Sequence, residues 1–459
     1  MNALILLSLL GVFSLLAEIF SFKKLLYPVV LLGLAATFGV TVCDWGTTQT
    51  YYNMIRVDDF SISFSLVILF VAFLWFIMAK DYLNDEEHKT SYHSLVLFAL
   101  VGALCMVSYT NMTMLFLGIE ILSIPMYILA GSNKNDLSSN EAAFKYLIMG
   151  AFSTGFLLFG ITMIYGATGS FDLAEIAMIV KAHPENISNI FYVGILLMLV
   201  AMAFKVSAVP FHFWAPDVYQ GAPTPVTAFM ATIVKTAAFA AFLKLFYSAF
   251  ADVNTTWMTI VWAIAAITLL IGNITAVQQT SVKRMLAYSS IAHAGYMLMA
   301  LLAQDEYSKG SILFYTLAYS VGSIATFTIV GIVISKKGKD EVESFNGLAE
   351  SNPLLAVVMT IAVLSLAGIP PTAGFFAKYY IFTSAFFAGN IGLVIIAIIA
   401  SLIGVYYYFR IIIAMFFKGS NDAAIHVQPI QKVLLVLIAI TIIALGLFPD
   451  FIVRLGFVS

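Results

Sequence analysis

Six ionisable residues fall inside apolar runs that leave no water to solvate them. They are Glu120 in LFLGIEILSIP, Lys145 in EAAFKYLIMG, Lys205 in MAFKVSAVPFHFW, Lys235 in ATIVKTAAF, His293 in YSSIAHAGYM and Lys378 in PPTAGFFAKYY. An ionised side chain at mid-membrane costs about 3 kcal/mol even on the mildest scale, so such residues mark a pathway for charge. Burial favours the neutral form of an amine and of a carboxyl alike, and an opposite charge nearby restores both ions. A Glu–Lys pair therefore switches protonation as a neighbouring charge arrives or leaves, which is the chemistry of a proton relay. Lysine suits this better than arginine, which holds its proton permanently.

A free imidazole titrates near neutrality, and His293 stands about half-way along its segment, so it is a candidate bridge, through water, between Lys235 and Lys378. A hydrogen-bonded structural histidine is the competing reading. For the lysines the competing reading is snorkelling, in which a long stem lifts the charge to the interface. That reading suits Lys244 and Arg410, near predicted helix ends, and makes Lys244→Ala a nearly neutral change. It stays open for Lys145, a turn or two from an end. It fails for Lys205, Lys235 and Lys378, which a rise of about 1.5 Å per residue leaves too deep. His212 follows Pro210 and suits backbone capping at least as well as proton transfer; Glu18 is interfacial.

The elements that must position these residues follow from composition. Of 459 residues, 62% are hydrophobic and 10% charged, against roughly 45–50% and about 25% in a soluble domain. So much apolar surface needs lipid as its solvent, and the fold class is an all-α polytopic membrane protein. Runs long enough to span a bilayer, about 20 residues each, number fourteen: 2–20, 24–43, 60–80, 91–108, 110–130, 140–166, 188–213, 223–249, 255–276, 280–302, 309–335, 353–386, 391–417 and 430–452. No hydrophilic insertion exceeds about twenty residues, which leaves no room for a soluble nucleotide-binding or redox domain. The first run lacks a basic leader and a small-x-small cleavage site, so it is expected to be a retained helix. Two cysteines, Cys43 and Cys105, are too few for a zinc or Fe–S site, and a net charge of −2 argues against a nucleic-acid partner.

Prolines interrupt two of the runs. Pro210 breaks the seventh just after Lys205; Pro370 and Pro371 break the twelfth just before Lys378. A proline frees a backbone carbonyl, tolerable in a membrane only where protein or water satisfies it. Two broken segments with flanking lysines, five apart, are the pattern of inverted repeats, since an odd spacing reverses direction through the bilayer. The expected division is a three-helix addition at 1–80, a first repeat at 91–249 (helices 4–8), a second, inverted repeat at 255–417 (helices 9–13) and a last helix at 430–459. Alternate loops hold twelve Lys or Arg on one side against four on the other, with six more inside the spans. The richer side is expected in the cytoplasm and both termini outside.

Three blocks carry a family resemblance: FKVSAVPFHFWAPDVYQGAPTPVTAFMATIVK at 204–235, SVKRMLAYSSIAHAGYML at 281–298 and LAGIPPTAGFFAKYYIF at 366–382. They resemble the antiporter-like membrane subunits of respiratory complex I, NADH:quinone oxidoreductase, over about 90–450. PDVYQGAP resembles the N branch of that family, the counterpart of mitochondrial subunit 2, and lysine at 378, where the M branch generally has glutamate, points the same way. The resemblance implies fourteen helices with outward termini and a proton-translocating subunit in a bacterial inner membrane. It implies roles residue by residue: Glu120 and Lys205 as the inlet pair, Lys145 modulating it, Lys235 as the central lysine and Lys378 on the outlet side. His293 stays beside them as the candidate bridge read from its own position, with the structural reading open. It also implies no cofactor in this chain, with flavin and Fe–S clusters in partner subunits of complex I. A multisubunit Mrp-type cation/proton antiporter subunit shares the fold and is the alternative. A solute transporter is disfavoured, because the charges form a line over several helices rather than one recognition site.

Overall fold

With no water in lipid to satisfy backbone N–H and C=O groups, apolar runs this long close their hydrogen bonds internally as helices. In the computed structural model, which describes residues 1–20, 22–85, 87–182, 187–419 and 423–455, fourteen helical rods follow one another. They are Asn2–Ile19, Lys23–Cys43, Asp59–Met78, Lys89–Ser108, Met112–Ala130, Leu137–Thr168, a split seventh (Asn189–Lys205 and Trp214–Gly221), Thr224–Ser248, Asn254–Val277, Val282–Leu301, Glu306–Lys337, a split twelfth (Pro353–Ala367 and Ala373–Phe387), Ile391–Phe417 and Pro429–Leu447. Eleven are long and apolar enough to cross a membrane. The other three are the two split rods and the tenth, which carries Lys283, Arg284, Ser289, Ser290 and His293.

The eighth helix is buried along all of its apolar window and the eleventh along 89%, whereas the first and fourteenth are 28% buried. The first pair therefore forms the axis of the molecule, and the outer rods turn their apolar faces toward lipid. Lys235 is thus carried at the centre, just after a π-helical turn, Met230–Val234. That turn, a hairpin of Gln49–Tyr51 with Ile55–Val57, and a short helix at Leu173–Ala182 have no counterpart in the sequence reading. Nor has Trp214–Gly221, where Pro216, Asp217 and Gln220 interrupt the apolar run.

Both proline breaks are real interruptions. Residues 206–213 and 368–372 are non-helical, and side chains complete the hydrogen bonds there. Thr268 Oγ1 accepts from the Val209 N–H at 2.9 Å, and Trp214 Nε1 donates to the Phe204 carbonyl at 3.2 Å. Lys378 Nζ donates to the Ala367 carbonyl at 2.6 Å.

The two halves repeat in detail. The sixth and eleventh helices are both 32 residues long. Asp136 and Asp305 cap their starts, and Gly169 and Gly338, with φ of +73° and +69°, follow their ends. Single β-bridges tie the start of the fifth helix to the segment after the sixth, Asn111 to Asp172, and the start of the tenth to the segment after the eleventh, Ser281 to Glu341. The fourth helix meets the fifth at Gly102, and the ninth meets the tenth at Gly272, with backbones close enough to exclude a side chain.

The repeat also corrects the snorkelling reading of Lys244 and Arg410. Lys244 Nζ donates to the Val107 carbonyl at 3.4 Å and lies 5.7 Å from the ring centres of Phe60 and Tyr109. Arg410 Nη1 donates to the Val277 carbonyl at 2.5 Å. The two carbonyls stand at matching ends of the fourth and ninth helices. Helix ends leave unpaired carbonyls and a partial negative charge, so a cation there is a cap rather than a charge seeking water. Lys244→Ala is therefore not neutral: its aromatic contacts and hydrogen bond predict a loss of about 1–3 kcal/mol.

The twelfth-helix break depends on close backbone approach. A Cβ at Gly374 would lie 1.7 Å from the Ser365 carbonyl oxygen, and one at Gly446 would lie 2.0 Å from that of Pro371. Gly374→Ala and Gly446→Ala are each expected to cost about 3 kcal/mol or more, because backbone must shift. Gly39→Ala, with nothing within 4 Å, is expected to be neutral. Thermal inactivation of membrane-embedded protein checks this; equal midpoints for all three would contradict the packing.

Candidate functional site

Four groups of polar residues run through the molecule. The first lies among the fifth, sixth and seventh helices. Lys205 ends the first half of the seventh helix and is 7% exposed. Its ammonium donates to Ser123 Oγ at 2.5 Å. Glu120, one turn before Ser123 on the fifth helix, accepts from Thr154 Oγ1 of the sixth at 2.8 Å. Ser123 brings the two residues to one turn of the fifth helix, but each bonds a hydroxyl, and among the described residues they close no ion pair.

The second group is central. Lys235, 2% exposed, donates to the carbonyl of Ser290 at 2.7 Å and to its hydroxyl at 2.5 Å, and lies 5.9 Å from the Tyr319 ring centre. One turn on, His293 bonds Tyr315 through Nδ1 at 2.6 Å and Tyr408 through Nε2 at 3.3 Å, and packs on Tyr319 at 4.7 Å. Tyr408 is hydrogen-bonded in turn to Ser289. His293, Tyr315, Tyr319, Ser365, Gly374 and Ala377 border a small cavity, the size of about one water.

The third group is at the twelfth-helix break. Besides the Ala367 carbonyl, Lys378 donates to Ser401 Oγ at 2.8 Å and stands 4.9 Å over the Tyr296 ring. Gly368, with φ of +84°, makes room for it: a Cβ there would lie 2.8 Å from Lys378 Cδ.

The fourth group lies at the Lys/Arg-rich end. Lys145 pairs with Glu141 and with Asp217, both at 2.6 Å, and Arg284 pairs with Asp217 at 2.7 Å. Lys145 precedes Thr154 by nine residues of one helix, about 13 Å, so it does not reach Glu120 and belongs to this outer cluster. A polar cavity of about 950 Å³ opens above it, bordered by Asp81, Asp136, Glu141, Asp217, Lys283 and Arg284 among others.

The fold thus joins Lys235 and His293 through the tenth helix, sets Lys378 beyond them, and keeps Glu120 near Lys205. His212, in the seventh-helix break, is buried with Nδ1 unpartnered. Glu18 accepts from Lys23 at 2.7 Å at an exposed helix end. Sequence reading missed Ser123, Ser290, Tyr315, Tyr408 and Ser401, because single hydroxyls in apolar helices are common. It missed Asp217 as a charge partner although the residue stands within PDVYQGAP. Among the described residues, no three His, Cys, Asp or Glu gather as a metal ion would require. Amines, an imidazole and hydroxyls in series are groups that pass protons.

Comparison with known proteins bears on the family and the fold. Residues 110–404 match the family described as NADH:quinone oxidoreductase/Mrp antiporter, TM. The NADH-quinone oxidoreductase subunit N of Cytophaga hutchinsonii is 46% identical, the alignment covering 99% of each chain. A chain of respiratory complex I from Thermus thermophilus superposes with a TM-score of 0.86 at 31% identity, over 100% of both chains. A chain of the Mrp complex from Dietzia superposes with a TM-score of 0.87 over 100% of this chain and 97% of that one, but at 20% identity, which speaks for the fold alone. On sequence identity, coverage and fold together, the chain belongs to the NADH:quinone oxidoreductase/Mrp antiporter membrane family, in its subunit N branch.

Proposed function

We propose that this chain is a proton-translocating membrane subunit of NADH:quinone oxidoreductase. Protons pass through a buried line of Glu120, Lys205, Lys235, His293 and Lys378, with Lys145 acting on it from the Lys/Arg-rich end. The observation that carries the reading is that Lys205, Lys235 and Lys378 are each at most 7% exposed yet, among the described residues, bonded to hydroxyls and carbonyls alone. Among the described residues none of these ammonium groups bonds a carboxylate directly, so a charge arriving nearby decides whether they keep their protons. The driving redox chemistry, with flavin, Fe–S clusters and quinone, belongs to partner subunits of the complex. This chain acts as a translocase and holds no cofactor of its own. The Mrp-type alternative rests on shared fold at 20% identity, whereas the subunit N reading rests on 46%.

In this reading the chain lies in a bacterial inner membrane with its Lys/Arg-rich end in the cytoplasm and both termini outside. Residues 91–249 and 255–417 act as two inverted half-channels, flanked by 1–80 and 430–459. The matched caps, β-bridges and breaks support that division.

Lys205→Ala and Glu120→Gln are expected to lower proton uptake by inverted vesicles at least roughly tenfold at matched assembly. Lys205→Arg should fail as well, since guanidinium does not release its proton. Normal uptake in all three would place the pathway elsewhere. Separately, the chain purified without partners is expected to oxidise no NADH; a flavin, haem or Fe–S spectrum from it would contradict the assignment.

A further inference from the structure

At the floor of the large polar cavity four charges alternate in sign across two repeats. Lys145 of the sixth helix is shared between Glu141 and Asp217, and Asp217 is shared between Lys145 and Arg284 of the tenth helix. Arg284 also donates to Gln220 Oε1 at 3.0 Å. Its neighbour Lys283, 6% exposed, donates to the Gln220 and Ala222 carbonyls at 2.8 and 2.6 Å. Asp217 and Gln220 lie on the second half of the broken seventh helix, Trp214–Gly221, and the chain turns at Ala222. That half-helix is therefore gripped from one side by the sixth helix and from the other by the tenth.

The gripping residues are themselves held. Ser281 caps the tenth helix and is hydrogen-bonded to Asp340, and the Val282 N–H donates to the Asp340 carbonyl at 2.7 Å. At its inner end the half-helix begins with Trp214. The indole donates to the Phe204 carbonyl, next to Lys205, and stacks on Tyr146, next to Lys145, at 4.8 Å and 9°. One turn of the half-helix, Trp214 to Asp217, thus separates the charge cluster from the indole bonded to the Phe204 carbonyl, beside Lys205.

We propose that Asp217 is a positioning residue for proton uptake. Shared between Lys145 and Arg284, it latches the half-helix Trp214–Gly221 to both repeats and so sets how Lys205 stands toward the cavity. The inference rests on the proton-translocating reading above. Asp217 does not carry the proton here: its two oxygens are each committed to a cation, and charge-assisted pairs of this kind fix geometry. The pairs are partly exposed, so their value lies in orientation rather than in stability.

The test uses the whole complex in inverted vesicles, with protons taken up per NADH oxidised at matched assembly. Asp217→Asn and Arg284→Gln are expected to lower that ratio roughly fivefold or more. Asp217→Glu, which keeps both pairings, should restore most of it. A normal ratio in Asp217→Asn overturns the latch, and so does an equal loss in Asp217→Asn and Asp217→Glu. Should Asp217→Asn not assemble, Arg284→Lys against Arg284→Gln reads the same quantity, and equal ratios again overturn the proposal. Lys205→Ala separates the two ideas. Normal uptake there, with normal uptake in Glu120→Gln and Lys205→Arg, refutes the translocation reading itself, whereas loss there with a normal ratio in Asp217→Asn refutes the latch alone.

Discussion

An ammonium group in the middle of a membrane must find hydrogen-bond acceptors without finding a permanent counter-ion, and much of this structure follows from that requirement. A carboxylate at contact distance would stabilise the charge but would also fix it. Hydroxyls and carbonyls solvate the ammonium and leave its proton exchangeable. Lys235 takes the Ser290 carbonyl and hydroxyl, Lys378 the Ala367 carbonyl and the Ser401 hydroxyl, and Lys205 the Ser123 hydroxyl. The ion pairs among the described residues lie toward helix ends and the large cavity, and none includes these three lysines.

Broken helices supply part of what this arrangement needs. An unbroken helix spends its carbonyls on its own ladder, so an interior lysine finds few acceptors. Interrupting the twelfth helix at 368–372 frees the Ala367 carbonyl for Lys378, and the left-handed Gly368 leaves space for the stem. At the seventh helix the interruption frees the Phe204 carbonyl, which Trp214 takes, and ends the helix at Lys205. The prolines that disturb the backbone thereby serve the residues that carry charge.

The repeat extends the same logic to the periphery. Lys244 and Arg410 occupy equivalent places on the eighth and thirteenth helices, and each caps the end of the helix that opens its own repeat. Asp217 instead joins one repeat to the other, through Lys145 and Arg284. Cations that cap within a repeat and a carboxylate that bridges between repeats are different devices, although all three stand in or beside mid-chain apolar segments.

The sequence by itself determined the fourteen long rods, the position of both breaks and the enclosure of Lys205, Lys235 and Lys378 within them. These follow from run length, from the missing proline N–H and from the fixed rise per residue, all of which are local. It also carried the family signature in three blocks. Only the tertiary structure decided which groups share a site. Lys145 turned to Asp217 rather than toward Glu120, because nine residues of one helix separate it from Thr154 and a lysine stem does not span that distance. Lys244 became a cap instead of a snorkelling charge because Val107, distant in sequence, brings a free carbonyl to it. His293 met two tyrosines from the eleventh and thirteenth helices. Partners of this kind come from helices far apart in the chain, and their meeting depends on how rods cross, which the pattern along any one rod does not encode.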